Sequence, residues 1–259
     1  MDELIKKKGF ICDMDGVIYH GNSLLPGARE FVEWLKANEK EFLFLTNNSQ
    51  KSREELAQKL KRLGIDVDPL HFYTTALATA SFLAHQHPGG SAFVIGDAGL
   101  INALYQAGLS MNDIDPDYVV VGETRSYSFE KIQQAINYIL AGAKLIGTNP
   151  DLTCPTDQGL IPGCVAMVSP IEMATGRKAY FMGKPNPLMI RHAMRCLACE
   201  REEILFVGDQ MDTDIIAGIH SEVDTALVLS GATREEDLVK YAYRPTFILK
   251  GVGEILEVS

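Results

Sequence analysis

Residues 10–17 read Phe-Ile-Cys-Asp-Met-Asp-Gly-Val, an apolar run that ends in two carboxylates and a glycine. The run does not alternate apolar and polar residues, a pattern typical of a strand covered on both faces in a parallel sheet. Asp13 and Asp15 are two positions apart, so in an extended chain both side chains point the same way. Ligands of open α/β sheets bind where the strands end. The stretch therefore predicts a buried strand that carries two carboxylates to one site.

Further apolar runs of strand length follow, separated by amphipathic helical patterns. The strands are predicted at 42–46, 92–95, 118–121, 144–147, 204–207 and 225–229. Helices are predicted between them, including one that Pro26 opens, one at 98–107, one at 129–141 and one that Asn186-Pro187 opens. This alternation predicts an α/β fold with a doubly wound, mainly parallel, Rossmann-like sheet.

The polar residues at strand ends lie at 13–47 and 184–214 and avoid the middle of the chain. That distribution indicates a discontinuous core domain, residues 1–77 and 182–259, with a smaller α/β domain inserted at 78–181. The chain of 259 residues is long enough for two modest domains or one large one. One continuous sheet is the alternative that the strand pattern leaves open.

The composition limits which binding partners and which cellular location we expect for the protein. With 24 Lys and Arg against 34 Asp and Glu, the net charge is −10, which disfavours nucleic acid and membrane surfaces but not a small anionic substrate. No apolar run approaches the roughly 20 residues that cross a bilayer. Residues 1–8 lack the apolar region that follows the charged start of a signal peptide. Five scattered cysteines make a poor disulfide framework, so we expect a cytoplasmic location.

A second buried strand ends in Gly-Asp at 208–209, which places Asp209 like Asp13 at the end of a presumed neighbouring strand. Close carboxylates repel one another unless a cation lies between them, and Mg²⁺ prefers such oxygen ligands. Turn capping is the alternative role for the aspartates of the first stretch. Asp214 is expected to hold Asp209, Lys184 or a metal-bound water, with helix capping as its alternative.

Two further segments can bind an anion. Thr46-Asn47-Asn48-Ser49 ends another strand and offers a hydroxyl, amides and backbone N–H groups, although the same composition is common in turns. Lys184 lies between Gly183 and Pro185, where its ammonium can neutralise phosphate oxygens. A lone lysine is more often a solvated surface residue, so each segment is a weak signal alone.

Taken in order, these segments resemble the four motifs of the haloacid dehalogenase (HAD) superfamily. Residues 13–17 resemble the first motif, Thr46-Asn47 the second, Lys184 the third and residues 208–214 the fourth. The stretches at 45–49, 121–125 and 148–151 are similar to those of the NagD-like phosphatases. The long insertion resembles the α/β (C2-type) cap of that group.

The resemblance implies a Mg²⁺-dependent phosphatase whose substrate is a small phosphorylated metabolite, such as a nucleoside monophosphate or a sugar phosphate. It implies that Asp13 attacks phosphorus to form an aspartyl-phosphate, and that Asp15 protonates the leaving group and then activates water. Mg²⁺ would be held by Asp13, the backbone carbonyl of Asp15, and Asp209. The substrate would be bound by Asp15, Thr46, Asn47 and Lys184. Caps of this kind serve as dimer surfaces in the family, which leaves a homo-oligomer open.

The inserted domain is expected to select the leaving group. Its candidate residues are Glu123, Thr124, Arg125, Asn149 and Asp151. The alternative for Asn149 and Asp151 is a turn at 149–151, and the alternative for Glu123 and Arg125 is that they pair at the surface.

Two rival functions are less consistent with the sequence. A non-catalytic phosphometabolite-binding protein on the same scaffold would not need both Asp13 and Asp15. An oxidoreductase with a nucleotide-binding sheet would need a Gly-rich fingerprint after the first strand, where Asp-Met-Asp-Gly stands instead.

Overall fold

The computed structural model describes residues 2–156 and 159–258, which fold into two compact units. Unit 1 contains the chain up to Thr46, Arg53–Tyr73, and the chain from Lys184 onward. Unit 2 contains Asn47–Ser52 and Thr74–Gly183. The sequence-based boundaries at 77/78 and 181/182 lie a few residues from the unit boundaries at 73/74 and 183/184. The sequence-based core also keeps 47–52, which contact the inserted segment, as when Gly99 donates to the carbonyl of Gln50. The assignment of the units as catalytic core and cap stays a prediction.

The strands within the described residues are, in chain order, β1 (Gly9–Asp13), β2 (Tyr19–His20), β3 (Ser23–Leu24), β4 (Glu41–Thr46), β5 (Phe72–Thr74), β6 (Ser91–Ile95), β7 (Ser110–Met111), β8 (Tyr118–Val121), β9 (Lys144–Gly147), β10 (Thr153–Thr156), β11 (Gly159–Pro162), β12 (Tyr180–Phe181), β13 (Ile204–Gly208), β14 (Asp224–Val228) and β15 (Phe247–Leu249). All the strands that the sequence predicts are present, with ends that agree to within one residue.

The α-helices of the same part of the chain are α1 (Asp2–Ile5), α2 (Ala28–Ala37), α3 (Arg53–Leu63), α4 (Thr75–Gln86), α5 (Ala98–Gln106), α6 (Phe129–Ala141), α7 (Cys164–Thr175), α8 (Pro187–Leu197) and α9 (Ile216–His220). Short 3₁₀ turns occupy Pro69–His71, Arg201–Glu203, Glu235–Lys240 and Val252–Val258, and a π-helical turn occupies Met211–Ile215. Asn186 caps α8 by accepting from the N–H of Leu188, as the Asn-Pro pair predicts.

Unit 1 is built on a six-stranded sheet with strand order β15-β14-β13-β1-β4-β5. The pairs from β15 through to β4 are parallel. The chain moves outward from β1 through β4 and β5 on one side, and through β13, β14 and β15 on the other. This reversal at β1 confirms the predicted doubly wound sheet. Every residue of β1 and β13 is buried, which is why their apolar runs do not alternate.

Helix α2 begins two residues later than its proline suggests. Gly27 adopts φ +78° before the first helical residue, Ala28. An ideal Cβ at Gly27 would lie 2.5 Å from Cα of Gly253, so the chain passes the C-terminal 3₁₀ turn at backbone contact distance. The predicted apolar face is present, because Phe31 and Leu35 of this helix are fully buried.

Unit 2 is built on a separate five-stranded sheet with strand order β12-β9-β8-β6-β7 and parallel pairing throughout. An antiparallel hairpin of β10 and β11 accompanies it. The unit has its own apolar core, which includes Val119, Ile139 and Val168. Two separate sheets exclude the single continuous sheet that the strand pattern left open.

None of the helices within residues 2–156 and 159–258 combines the length and apolar composition needed to cross a bilayer. The expected cytoplasmic location stays a prediction.

Candidate functional site

A buried lysine joins two aspartates at the carboxyl end of the unit 1 sheet. Asp13 is the last residue of β1, and its Oδ1 lies 2.7 Å from Nζ of Lys184. The same Nζ lies 2.7 Å from Oδ1 of Asp214. The side chains of Lys184 and Asp214 are 4% and 0% exposed, so little water screens either ion pair. Lys184 is therefore a buried residue and not the solvated surface lysine that was the alternative interpretation of the sequence.

Asp209 adds a third carboxylate to this cluster. It directly follows β13, which pairs with β1 and places Val207 opposite Cys12. One carboxylate oxygen each from Asp13, Asp209 and Asp214 lie within 4.8 Å of one another. Oδ2 of Asp209 accepts a hydrogen bond of 2.7 Å from the N–H of Ala232. Its Oδ1 is buried and has no hydrogen-bond partner among the described residues.

Burying a carboxylate oxygen without a partner raises the free energy of the folded state, unless a bound molecule or ion interacts with that oxygen. Carboxylate oxygens are also the donors that a hard divalent cation prefers. The chemistry of the cluster, together with Oδ1 of Asp209, therefore fits a divalent cation.

Asp214 uses both of its carboxylate oxygens within the protein. Oδ1 receives Lys184, and Oδ2 accepts from the N–H groups of Asp209 at 3.1 Å and Gln210 at 3.0 Å. Both of these donors precede Asp214 in the chain, so its carboxylate does not cap the helix that follows. Asp214 instead holds the lysine and the backbone at Asp209.

Two glycines allow Asp209 to lie against the backbone. Gly16 has φ +81°, and a Cβ there would lie 2.5 Å from Oδ2 of Asp209. A Cβ at Gly231 would lie 2.1 Å from the same oxygen. The sequence reasoning missed Gly231 and Ala232. The run of small residues that follows β14, Ser-Gly-Ala-Thr at 230–233, is the signal that could have found them.

Burial and mutual repulsion shift the pKa values of this cluster. Burial is the largest cause that raises the pKa of Asp13 to about 7 and that of Asp209 to about 8, and neighbouring carboxylates add to it. Burial alone would lower the pKa of Lys184, but Asp13 and Asp214 raise it above its ordinary value. The lysine is therefore charged, and without a cation the raised pKa values of Asp13 and Asp209 mean that these two carboxyls hold protons to a higher pH than usual.

Asp15 lies in a more open environment than Asp13. Its side chain is 53% exposed, and its Oδ1 lies 3.5 Å from Nδ1 of His20. Burial raises the pKa of Asp15, while His20 and Lys59 oppose that shift. A carboxyl with a raised pKa that still reaches solvent is suited to donating and accepting a proton.

The two residues of the second predicted motif fall in different units. Thr46 is the buried last residue of β4, which pairs with β1 and places Leu45 opposite Asp13. Asn47 belongs to unit 2, where its Nδ2 donates to both carboxylate oxygens of Asp151 at 3.2 Å. The structure thus brings Asp13, Lys184, Asp209 and Asp214 together within unit 1. The roles predicted for these residues stay predictions.

Most of the residues expected to select the leaving group are engaged inside unit 2. Glu123 is buried and accepts from Oγ of Ser49 at 2.5 Å and from Nδ2 of Asn149. Thr124 is buried and donates to Asp97 at 2.6 Å. The side chains of Glu123, Thr124 and Asn149 are therefore buried and hydrogen-bonded within unit 2, so Glu123 is not the surface residue that pairing with Arg125 would require. Arg125 is exposed.

Comparison with known proteins places the chain in a family. Residues 10–110 match the family described as haloacid dehalogenase-like hydrolase, and residues 181–255 match one described as HAD-hydrolase-like. Ribonucleotide monophosphatase NagD from Escherichia coli is 40% identical over 248 residues, which cover 96% of this chain and 98% of NagD. The chain belongs to the haloacid dehalogenase-like hydrolases. The solved structure of NagD from Escherichia coli superposes with a TM-score of 0.91 at 39% identity, covering 96% of this chain and 98% of NagD.

Two other similar hydrolases of this family are also named as phosphatases. Dihydroxyacetone phosphatase from Corynebacterium glutamicum is 41% identical and covers 96% of this chain and 90% of the relative. Acid sugar phosphatase from Staphylococcus saprophyticus is 38% identical and covers 96% of this chain and 97% of the relative. The chain is a NagD-like member of the haloacid dehalogenase-like hydrolases, a hydrolase of phosphoric monoesters.

Proposed function

We propose that this phosphatase is Mg²⁺-dependent and hydrolyses small phosphomonoesters, nucleoside monophosphates or sugar phosphates, through a phosphorylated Asp13. The observation that carries the proposal is the buried cluster in which Asp13 pairs with Lys184 beside the unpartnered oxygen of Asp209. The names of the relatives support the substrate class, since they include a ribonucleotide monophosphatase and an acid sugar phosphatase.

Asp13, Asp209 and the backbone carbonyl of Asp15 would hold the Mg²⁺. When bound, the cation would offset the negative charge of the carboxylates and of the phosphoryl oxygens. Lys184 would add a second positive charge for those oxygens, and Asp214 keeps its ammonium in place.

The reaction has two proton-balanced steps. The carboxylate of Asp13 attacks phosphorus, the bond to the leaving oxygen breaks, and Asp15 gives its proton to that oxygen. The ionised Asp15 then takes a proton from a water that attacks the aspartyl-phosphate, which releases inorganic phosphate and restores Asp13. Thr46, Asn47 and Lys184 would bind the phosphoryl oxygens in both steps.

Phosphate release from p-nitrophenyl phosphate tests the proposal. We expect turnover that requires Mg²⁺ and stops on addition of EDTA. Asp13→Asn should abolish turnover because an amide is not a nucleophile of this kind. Asp66→Asn is the matched control, since Asp66 is an exposed aspartate of unit 1 whose carboxylate pairs with Nζ of Lys61 at 3.2 Å.

Turnover that survives Asp13→Asn would contradict the nucleophile. Binding of phosphate without turnover by the unmodified protein would instead support a non-catalytic phosphometabolite-binding protein on this scaffold.

A further inference from the structure

Asn47 is held from two sides by residues of unit 2. Its carbonyl oxygen accepts from Oγ1 of Thr75 and from Nδ2 of Asn149, both at 2.8 Å. Its side-chain amide donates to the carboxylate of Asp151. The backbone and the side chain of Asn47 are therefore both oriented by the loop that follows β9.

Gly183 packs against the same loop. Its N–H donates to the carbonyl of Thr148 at 2.6 Å. An ideal Cβ at Gly183 would lie 2.7 Å from Oδ1 of Asn47 and 2.7 Å from Cβ of Asn149. Only a residue without a side chain can approach Asn47 and Asn149 this closely.

Asn149 is the centre of these contacts. It is 0% exposed, and its Oδ1 accepts from the N–H of Asp151 at 3.0 Å. Its Nδ2 reaches both the carbonyl of Asn47 and the buried carboxylate of Glu123. Glu123 in turn accepts from Ser49, so the hydrogen bonds of Asn149 extend to a second residue of the 47–52 segment.

The residues held in this way are covalent neighbours of proposed phosphoryl-binding residues. Asn47 directly follows Thr46, and Gly183 directly precedes Lys184. We propose that Asn149 is a positioning residue that sets the affinity for the phosphoryl group, because its side-chain amide fixes the carbonyl of Asn47, the residue that directly follows Thr46. This inference rests on the proposed function, and it gives Asn149 a role other than contact with the leaving group.

Inorganic phosphate separates the two roles because it has no leaving group. Isothermal calorimetry in saturating Mg²⁺ would measure phosphate affinity directly for the full-length protein. We expect Asn149→Ala to raise the Kd of phosphate about tenfold, the equivalent of about 1.4 kcal/mol. The Mg²⁺ concentration for half-maximal activity should not change, since the proposed metal ligands lie in unit 1.

Asn112→Ala is the matched control. Asn112 also belongs to unit 2, and its Oδ1 accepts from a backbone N–H two residues later, as that of Asn149 does. We expect its phosphate Kd to equal that of the unmodified protein. Asp151→Ala removes a carboxylate that accepts from the Asn47 amide at a half-buried site, and it decides the question if Asn149→Ala does not fold.

An unchanged phosphate Kd in the folded variants would overturn the inference. If the KM then varied with the leaving group, Asn149 would contact the leaving group instead. An unmodified protein that binds phosphate without turnover would contradict the proposed function alone, and the variant Kd values would still decide the role of Asn149.

Discussion

Lys184 is the cation on which the buried carboxylates of unit 1 depend. Lys184→Met would leave Asp13 and Asp214 without their positive partner in a site that excludes water. Breaking a buried pair by removing one partner costs about 3–5 kcal/mol. We expect a loss of that size in the free energy of unfolding near pH 8, measured with urea.

The double variant Lys184→Met/Asp214→Asn should be more stable than Lys184→Met alone, because it removes one of the two buried negative charges that have lost their cationic partner. An amide can still accept from the N–H groups of Asp209 and Gln210. A single variant as stable as the unmodified protein would contradict the importance of this ion pair.

Gly231 controls the position of Asp209. The Cβ of Gly231→Ala would lie 2.1 Å from Oδ2 of Asp209, so the carboxylate must move. Displacing a ligand in this way typically weakens metal binding about 10–100-fold. We expect the Kd of Mg²⁺ to rise by that factor in calorimetry.

Gly251→Ala is the control for this prediction, since the nearest side-chain atoms to its Cβ would lie 3.9 Å away, on Ser230. Its Mg²⁺ affinity should match that of the unmodified protein. Equal affinity in both variants would argue against Asp209 as a ligand.

The start of helix α2 depends on Gly27. Its φ of +78° disfavours any side chain, and its contact with Gly253 leaves no room for a Cβ. Gly89 has a similar φ of +74° but nothing within 4 Å of its Cβ, so it isolates the conformational cost alone. We expect Gly89→Ala to cost about 1 kcal/mol and Gly27→Ala at least about 1 kcal/mol more, measured by urea unfolding.

If Gly27→Ala and Gly89→Ala lowered the free energy of unfolding equally, the backbone at Gly253 would move away from the new Cβ without an energetic penalty, which would contradict this prediction. The backbone conformation that Gly27 permits directs α2 onto the C-terminal 3₁₀ turn.

For the whole molecule, stability should depend on Mg²⁺ and pH together. Raised pKa values mean that folded Asp13 and Asp209 keep protons that the unfolded chain loses above about pH 4. The folded state then binds more protons than the unfolded state, so the metal-free protein loses stability as pH rises from about 4 to about 8. Mg²⁺ would stabilise the ionised carboxylates, and its effect grows as protons leave.

Thermal unfolding in EDTA and in saturating Mg²⁺ checks this expectation. The rise in Tm on adding Mg²⁺ should be larger near pH 8 than near pH 6, with each kcal/mol corresponding to about 2–4 °C. Asp209→Asn should remove most of that difference. A rise that is equal at both pH values would be inconsistent with titrating metal ligands.

The elements of this fold could be predicted because short-range patterns encode them. Runs such as 10–13 and 204–207 are apolar without alternation, and burial on both faces of a parallel strand requires that pattern. The aspartates at positions 13 and 209 could be located for a similar reason, since the ends of neighbouring parallel strands share one edge of a sheet.

Contacts between segments that are distant in the chain could not be predicted from sequence patterns. Nothing in the local sequence indicates that Asn149 binds the carbonyl of Asn47, or that Oδ2 of Asp214 accepts from the backbone N–H groups at 209 and 210. Glycines 16 and 231 meet one carboxylate from positions far apart in the chain. Hydrogen bonds and close packing act over a few ångströms in space, whereas a sequence pattern reports only on neighbours along the chain, so these partners became known only from the folded protein.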